Sequence, residues 1–200
     1  MPKKEEEKGF VEIINGRYKL NGFFHTIELN QPIFNKDTGK LAGITNPRDM
    51  TYIHSYGSEA IFFESLSKGK LMASRCDNEK CETKGSIYEP LRIYCPDCLR
   101  KNTIIEITDK ARNTAKIHSF IITHRSGAFN TMPKPIKFIN VEFDKEIVTI
   151  LMSVLAVGDP EIGKRIVPIF RTKSPTYTIK DLMFVSEGTQ ESQLPNGFTF

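Results

Sequence analysis

Hydrophobic and polar positions alternate in short runs along much of this chain, a period-two pattern that predicts strands. The runs cluster at residues 103–107, 115–123, 136–143, 147–157 and 165–171, with turn residues between them. Five strands in roughly seventy residues, with no helical period between them, predict a small closed barrel. The OB-fold is the common five-stranded solution at that size. Residues 126–135, with Gly127 and two prolines, are expected as an exposed loop at the barrel rim, and 159–163 as a turn. After Thr172, Tyr177, Ile179 and Phe184 recur among polar residues without choosing between strand and helix. Residues 194–200 are apolar enough to tuck against the body.

The first third reads differently. Residues 58–66 are a helix candidate: Ser58 is a cap, Phe62 and Leu66 share a face at i,i+4, and Gly69 is a stop. Phe62, Phe63 and Leu66 are expected to pack on neighbouring strands. Residues 10–14 and 23–29 have strand-like content, with Asn15-Gly16 and Asn21-Gly22 as turn dipeptides, so a hairpin or extended arm is expected. Residues 30–49 carry Pro32, Gly39, Gly43 and Pro47 and read as loop. A loop that long is unusual inside a compact domain, so it is expected on another surface, a partner's or the body's. The class that follows is mainly β with a little α. An N-terminal arm spans 1–57, a helix and cysteine ribbon 58–102, an OB-fold barrel 103–173 and a C-terminal tail 174–200.

All four cysteines lie within 76–98, as two pairs, Cys76/Cys81 and Cys95/Cys98, with thirteen residues between the pairs. Two short pairs joined by a hairpin-length spacer are the pattern of a zinc ribbon. A segment this short buries too little apolar surface to hold a shape, and four thiolates on one Zn²⁺ supply the deficit. Four sulfurs fill the tetrahedral shell and leave no position for substrate, so the site reads as structural. Two disulfides, or a redox pair, are the competing readings. Nothing in the chain points to secretion, and a redox motif leaves the second pair unexplained.

Composition changes little. Apolar content of 39% and charged content of 26% are those of an ordinary globular protein. A formal charge of +4 permits an anionic ligand without demanding nucleic acid. The start, Met1 to Lys8, is charged and reads as a solvated tail and not a signal peptide. The longest uncharged apolar run, 147–158, is too short for the roughly 20 residues of a membrane span. A reducing cytoplasm fits these features.

No phosphate-binding glycine loop, nucleophile elbow or His-Glu-x-x-His motif is present. With the cysteines assigned to metal, no thiol is left as nucleophile. His118 and His124 share one strand face by period two. A strand-end histidine is more often structure than a general base, and His25 and His54 have no readable context. A basic set stands out: Lys134 and Lys137 beside the rim loop, and Lys164, Arg165, Arg171 and Lys173 around the last expected strand. Converging, these would hold phosphates of a nucleotide-like cofactor or RNA. Dispersed, they are solvated edge charges that oppose aggregation.

The order of parts resembles the domain of unknown function family 35, zinc-ribbon plus OB-fold proteins associated with acyl-CoA enzymes. The matching residues are Phe62-Phe63-Glu64-Ser65-Leu66, Gly69-Lys70-Leu71, Cys76, Cys81, and the run from Pro90 through Cys95-Pro96-Asp97-Cys98, with 162–167 resembling the closing barrel strand. The resemblance covers about residues 58–173. It implies a non-catalytic subunit bound to a thiolase-superfamily catalytic subunit, with structural Zn²⁺ on Cys76, Cys81, Cys95 and Cys98. A CoA thioester would be shared with the partner, and Lys134, Lys137, Lys164 and Arg165 are the candidates for its phosphates. Two departures stand out. The first cysteine pair is wider than Cys-x-x-Cys, and the first fifty-odd residues exceed the family's shorter members. The alternative is an OB-fold and ribbon module for single-stranded nucleic acid. That reading needs exposed stacking aromatics, whereas Phe120, Phe138, Phe143 and Phe170 are expected in the core.

Overall fold

The computed structural model describes residues 9–15, 17–21, 32–44, 50–52, 55, 57–126 and 130–200. The chain divides into two compact units, residues 1–55 and 56–200. The strand expected at 23–29, together with His25 and His54, lies outside the described residues.

In the first unit β1 (Gly9–Ile14) pairs antiparallel with β2 (Arg17–Asn21) and parallel with β5 (Met50–Tyr52). Part of the segment expected to be loop is instead a hairpin, β3 (Pro32–Phe34) against β4 (Leu41–Ile44). Its turn is closed by Asn35, whose Oδ1 accepts the N–H groups of Asp37 and Thr38, both at 2.9 Å. Ile33, Phe34, Leu41 and Ile44 are all exposed on this hairpin.

The second unit starts with α1 (Ser58–Leu66). Gly57 occupies the N-cap in place of the expected Ser58, with no side-chain cap bond. The stop is as expected: Gly69 takes φ 72°, and the N–H groups of Gly69 and Lys70 close on the carbonyls of Leu66 and Ser65. Phe62 and Leu66 are buried together, so the helix stands on the face its i,i+4 pair predicts.

A three-stranded sheet follows, with β6 (Met72–Arg75) between β7 (Ile87–Tyr88) and β8 (Thr103–Glu106). Residues 103–107 were expected to open the barrel. The ladder places them elsewhere, with Met72 opposite Glu106 and Arg75 opposite Thr103. A short polar helix, α2 (Thr108–Thr114), then separates β8 from the barrel. It escapes the apolar pattern because only Thr108 and Ala111 are buried.

The barrel strands are β9 (Lys116–Ser126), β10 (Asn130–Glu142), β11 (Leu151–Val157), β12 (Ile166–Arg171) and β13 (Leu182–Ser186). They run in space β9-β10-β11-β13-β12. The sheet closes where Lys116 bridges Arg165 and the Ile117 N–H reaches Lys164 O at 3.0 Å. The chain order 1-2-3-5-4 with a return to 1, and β11 parallel to β13, is the Greek-key barrel of the OB-fold. The class is therefore mainly β with a little α, a four-cysteine ribbon and a five-stranded barrel. The fifth strand is β13, which lies in the segment read as tail. Residues 147–149 do not extend β11. They dock on β7, with Ile147 bridging Ile87 and the Val148 N–H bonded to Ile87 O.

After β13, β14 (Phe198–Thr199) pairs with β12 and buries Phe198 beneath Arg171, so the aromatic terminus does tuck in. One core links helix, ribbon and barrel: Phe62 and Leu66, then Ile87 and Leu91, then Ile117, Ile139, Leu151 and Phe184 pack as a single cluster.

Candidate metal centre and its surroundings

Tight turns bring the two cysteine pairs together. The N–H of Cys76 bonds Ser86 O, and Gly85 returns its own N–H to Cys76 O at 2.7 Å. The wider first pair is accommodated by a turn on Asn78, whose carbonyl accepts the Cys81 N–H and whose Oδ1 accepts that of Lys80. At the second pair, Leu99 adopts φ 56° and bonds Cys95 O, so Cys98 folds back toward Cys95. Between the two turns the chain passes through β7, which pairs with β6 ahead of Cys76.

The four sulfurs lie within 4.8 Å of one another, and the cysteines are free thiols. Cys76 Sγ is 3.8 Å from Cys98 Sγ, and Cys81 Sγ is 3.8 Å from Cys95 Sγ. A disulfide needs about 2.05 Å. Sulfurs at the corners of a tetrahedron with bonds of about 2.3 Å are separated by about 3.8 Å. The spacing is that of a four-thiolate metal shell, and these four residues could hold a metal ion such as zinc.

The electrostatics agree. Burial opposes the Cys95 thiolate, but the N–H groups of Cys98 and Asp97 and the Tyr88 hydroxyl outweigh it and bring the thiol down to about 6. At Cys76 the Asn78 N–H favours the thiolate, yet burial and the three neighbouring sulfurs prevail and push the thiol up to about 12. Sulfurs packed this closely cannot all be ionised without a cation between them. A surrounding layer orients them. Thr83 Oγ1 lies 3.2 Å from Cys81 Sγ and donates to Asp97 at 2.6 Å, while Tyr88 OH sits 3.6 Å from Cys95 Sγ.

The basic candidates do not converge on one point. Lys137 Nζ donates to Gly158 O at 2.6 Å and to Asp159 Oδ1 at 2.8 Å, and Lys164 Nζ donates to Asp159 O at 3.0 Å. Those two lysines meet around a single turn. Arg165 is turned away, its guanidinium donating to the carbonyls of Ala115 and Arg112 at the end of α2. Lys134 is exposed on β10. His118 Nδ1 lies 2.9 Å from Glu142 Oε2 across the β9–β10 ladder, with both side chains solvated, and His124 is exposed.

Two features were missed in the sequence. Glu89 is fully buried, and neither carboxylate oxygen has a hydrogen-bond partner. Burial pushes its carboxyl up to about 8. Its backbone is tied to the segment before β11, the N–H donating to Thr149 Oγ1 at 2.8 Å and the Thr149 hydroxyl donating to Glu89 O at 2.6 Å. A glutamate between Tyr88 and Pro90 carries no pattern that announces burial.

The second feature is an apolar face outside the barrel. Ile121, Phe138 and Val154 stand opposite one another across β9, β10 and β11, and Met152 faces Asn140 in the next row. Ile121 is 63% exposed and Met152 66%, with Phe120 and Ile150 exposed nearby in sequence. A hollow of about 130 Å³ lies among Phe120, Ile121, Phe138 and Met152. Phe120 and Phe138 were expected in the core, but Phe120 is exposed and Phe138 only partly buried, because a strand pattern shows that one face is apolar but not whether that face points inward.

No family model matches the chain, and no curated protein does. Solved structures do. A protein of unknown function from the DUF35 family of Sulfolobus solfataricus is 21% identical with a TM-score of 0.48, covering 67% of this chain and 88% of that one. The Ltp2-ChsH2(DUF35) aldolase is 19% identical with a TM-score of 0.48, covering 67% of this chain and 98% of that one. The chain is similar to DUF35 proteins. They bear the name of the family that the cysteine ribbon and its flanks resemble. At this degree of overlap no activity or partner comes with the likeness. Among the described residues, no helix is long and apolar enough to cross a membrane.

Proposed function

We propose that this protein is a non-catalytic, zinc-binding accessory subunit of an acyl-CoA thiolase-type complex. The observation that carries the reading is a pairing of features. A four-sulfur centre with no room for substrate braces the ribbon, and a barrel beside it presents Ile121, Phe138 and Met152 outward. The centre serves shape and not chemistry. The outward face is the kind of apolar surface that a partner covers. The β3–β4 hairpin, with Ile33, Phe34, Leu41 and Ile44 exposed, is a second such surface, and we assign it to the same complex.

The partner is a thiolase-superfamily catalytic subunit, on the strength of the Phe62–Leu66 and Pro90–Cys98 resemblance. In this arrangement Zn²⁺ sits on Cys76, Cys81, Cys95 and Cys98. Lys137 and Lys164 approach the CoA phosphates, with Lys134 nearby in sequence, and Arg165 joins them only by leaving the carbonyls of α2. The cytoplasm is the compartment that keeps the four thiols reduced.

Affinity capture of the native protein followed by mass spectrometry tests the reading, with Ile121→Asp as the diagnostic variant. The wild type should bring down one stoichiometric thiolase-sized chain. Ile121→Asp should lose it while retaining metal and its melting temperature, because residue 121 is solvated in the free subunit. A solitary wild-type protein, or acyl-CoA turnover by this chain alone, would sink the assignment.

A further inference from the structure

A cleft of about 480 Å³ opens between the ribbon and the β10–β11 connection, lined by Arg75, Lys84, Gly85, Ser86, Lys145 and Glu146. Its three cations come from three separate segments: the end of β6, the turn before β7 and the loop after β10. From its contents we infer that the cleft is a binding site for a phosphate or diphosphate group of a small organic anion. The inference does not depend on the thiolase reading.

Each wall residue is disposed for that task. Arg75 is aimed by Asp77, with Nε to Oδ1 at 2.7 Å and Nη2 to Oδ2 at 3.4 Å. That clamp occupies one edge of the guanidinium and leaves Nη1 free of it. Lys84 pairs with Glu79, but both groups are solvent-exposed, so the pair is weak and readily exchanged for a multivalent anion. Lys145 forms no ion pair among the described residues. The single acid of the lining, Glu146, is engaged by Lys110, which also holds Asp144 at 3.1 Å. Ser86 adds a hydroxyl. Within the lining three cations face one carboxylate that Lys110 already engages; Asp77 and Glu79 offset Arg75 and Lys84 from outside it, so Lys145 carries the uncompensated positive charge, and open space beside Gly85 gives an oxyanion access.

Size and continuity point to a small molecule. The volume lies within the range of ligand sites. A second hollow of about 280 Å³ shares Arg75 and Glu146 with the first and sets Ile87, Ile105 and Ile107 beside Glu106, Thr108, Asp109 and Lys110. The phosphate of a ligand fits the first hollow, and an uncharged part that carries hydrogen-bond donors fits the second, beside Glu106 and Asp109. The metal centre controls the site, because Lys84, Gly85 and Ser86 belong to the loop that Cys76 and Cys81 close. The Gly85 N–H is bonded to Cys76 O, and that of Lys84 to Cys81 O.

The test is titration of the full, metal-loaded chain with inorganic diphosphate, ADP and CoA in turn, read by calorimetry and by amide shifts of Gly85 and Ser86. Binding should weaken by about tenfold or more in Lys84→Gln and in Lys145→Gln, as loss of one charged hydrogen bond implies. It should vanish on metal removal and stay unchanged in Lys180→Gln, an exposed lysine of the 179–181 turn. Preference among the three probes tells whether the organic part is adenine-bearing, pantetheine-bearing or immaterial. Failure of all three to bind at millimolar concentration would overturn the inference. So would binding that depends on Lys137 and Lys164 instead, which places the anion at the Asp159 turn, or capture of polyglutamate with no response to diphosphate.

Discussion

At position 89 a carboxyl group lies wholly out of water with neither oxygen hydrogen-bonded. Desolvation raises its pKa from 4.5 to about 8. The consequence for stability has a definite sign. Below pH 4.5 the group is protonated in both folded and unfolded chains and adds no pH dependence. Between 4.5 and about 8 the unfolded chain sheds a proton that the fold retains, so stability falls by about 1.4 kcal/mol per pH unit. Above about 8 both states are ionised and the slope ends. In Glu89→Gln this component should disappear, so the variant should gain on the wild type steadily from pH 5 to 8 in urea denaturation. Parallel pH profiles would show that the carboxyl is not buried in this way. At Gly158, by contrast, the fold depends on the residue being glycine. It holds φ 99°, and a Cβ there would sit 2.0 Å from Ser186 Oγ and 2.8 Å from Ser186 Cβ. Gly158→Ala should therefore cost roughly 1–3 kcal/mol through strain and a displaced β13, seen as a lower denaturation midpoint.

At the scale of elements, the barrel's strands exchange roles relative to their order in sequence. Thr103–Glu106 has the apolar content of a barrel strand, yet Met72–Arg75 claims it. Leu182–Ser186, short and preceded by a turn, is the strand that completes the barrel between β11 and β12. That turn is built on Asp181, buried, whose carboxylate accepts the N–H groups of Thr176 and Tyr177. Truncation after Lys173 removes β13 and β14 together. It should leave β11 and β12 without the strand that joins them, and the product should show poor amide dispersion. A well-dispersed spectrum from residues 1–173 would mean that the first four strands close by themselves. The helix α1 was legible because Phe62 and Leu66 announce a face locally, whereas α2 is held by position more than by pattern.

For the molecule as a whole, the four-cysteine cluster and the core form one mechanical system. Ile87 and Leu91, which lie between the two cysteine pairs, belong to the same packed cluster as Phe62 of α1 and Leu151 of the barrel. Removing the metal should therefore loosen more than the ribbon. With metal-binding energy acting as folding energy, chelation should lower the melting temperature of the second unit by about 10 °C or more. Indistinguishable melting curves with and without chelator would mean that the core holds the ribbon unaided. The basic residues illustrate why ligand contacts were harder to read. Lys137, Lys164 and Arg165 looked like one group along the strands, but only the two lysines meet at Asp159. Arg75, Lys84 and Lys145, scattered over seventy residues, share a cleft instead.

Features whose cause is local were determined by the sequence alone. The cysteine spacing sets the four-sulfur cluster, because each pair needs only its own turn to converge. The helix with its glycine stop and the mainly β character follow from side-chain period. Tertiary structure decided the rest: which strand closes the barrel, which apolar face turns to solvent, where a glutamate is stranded without water, and which cations meet. Those outcomes depend on ladders between residues far apart in the chain. A strand's pattern records that it will pair and bury one face, but its partner is selected by the free energy of the assembled sheet and core.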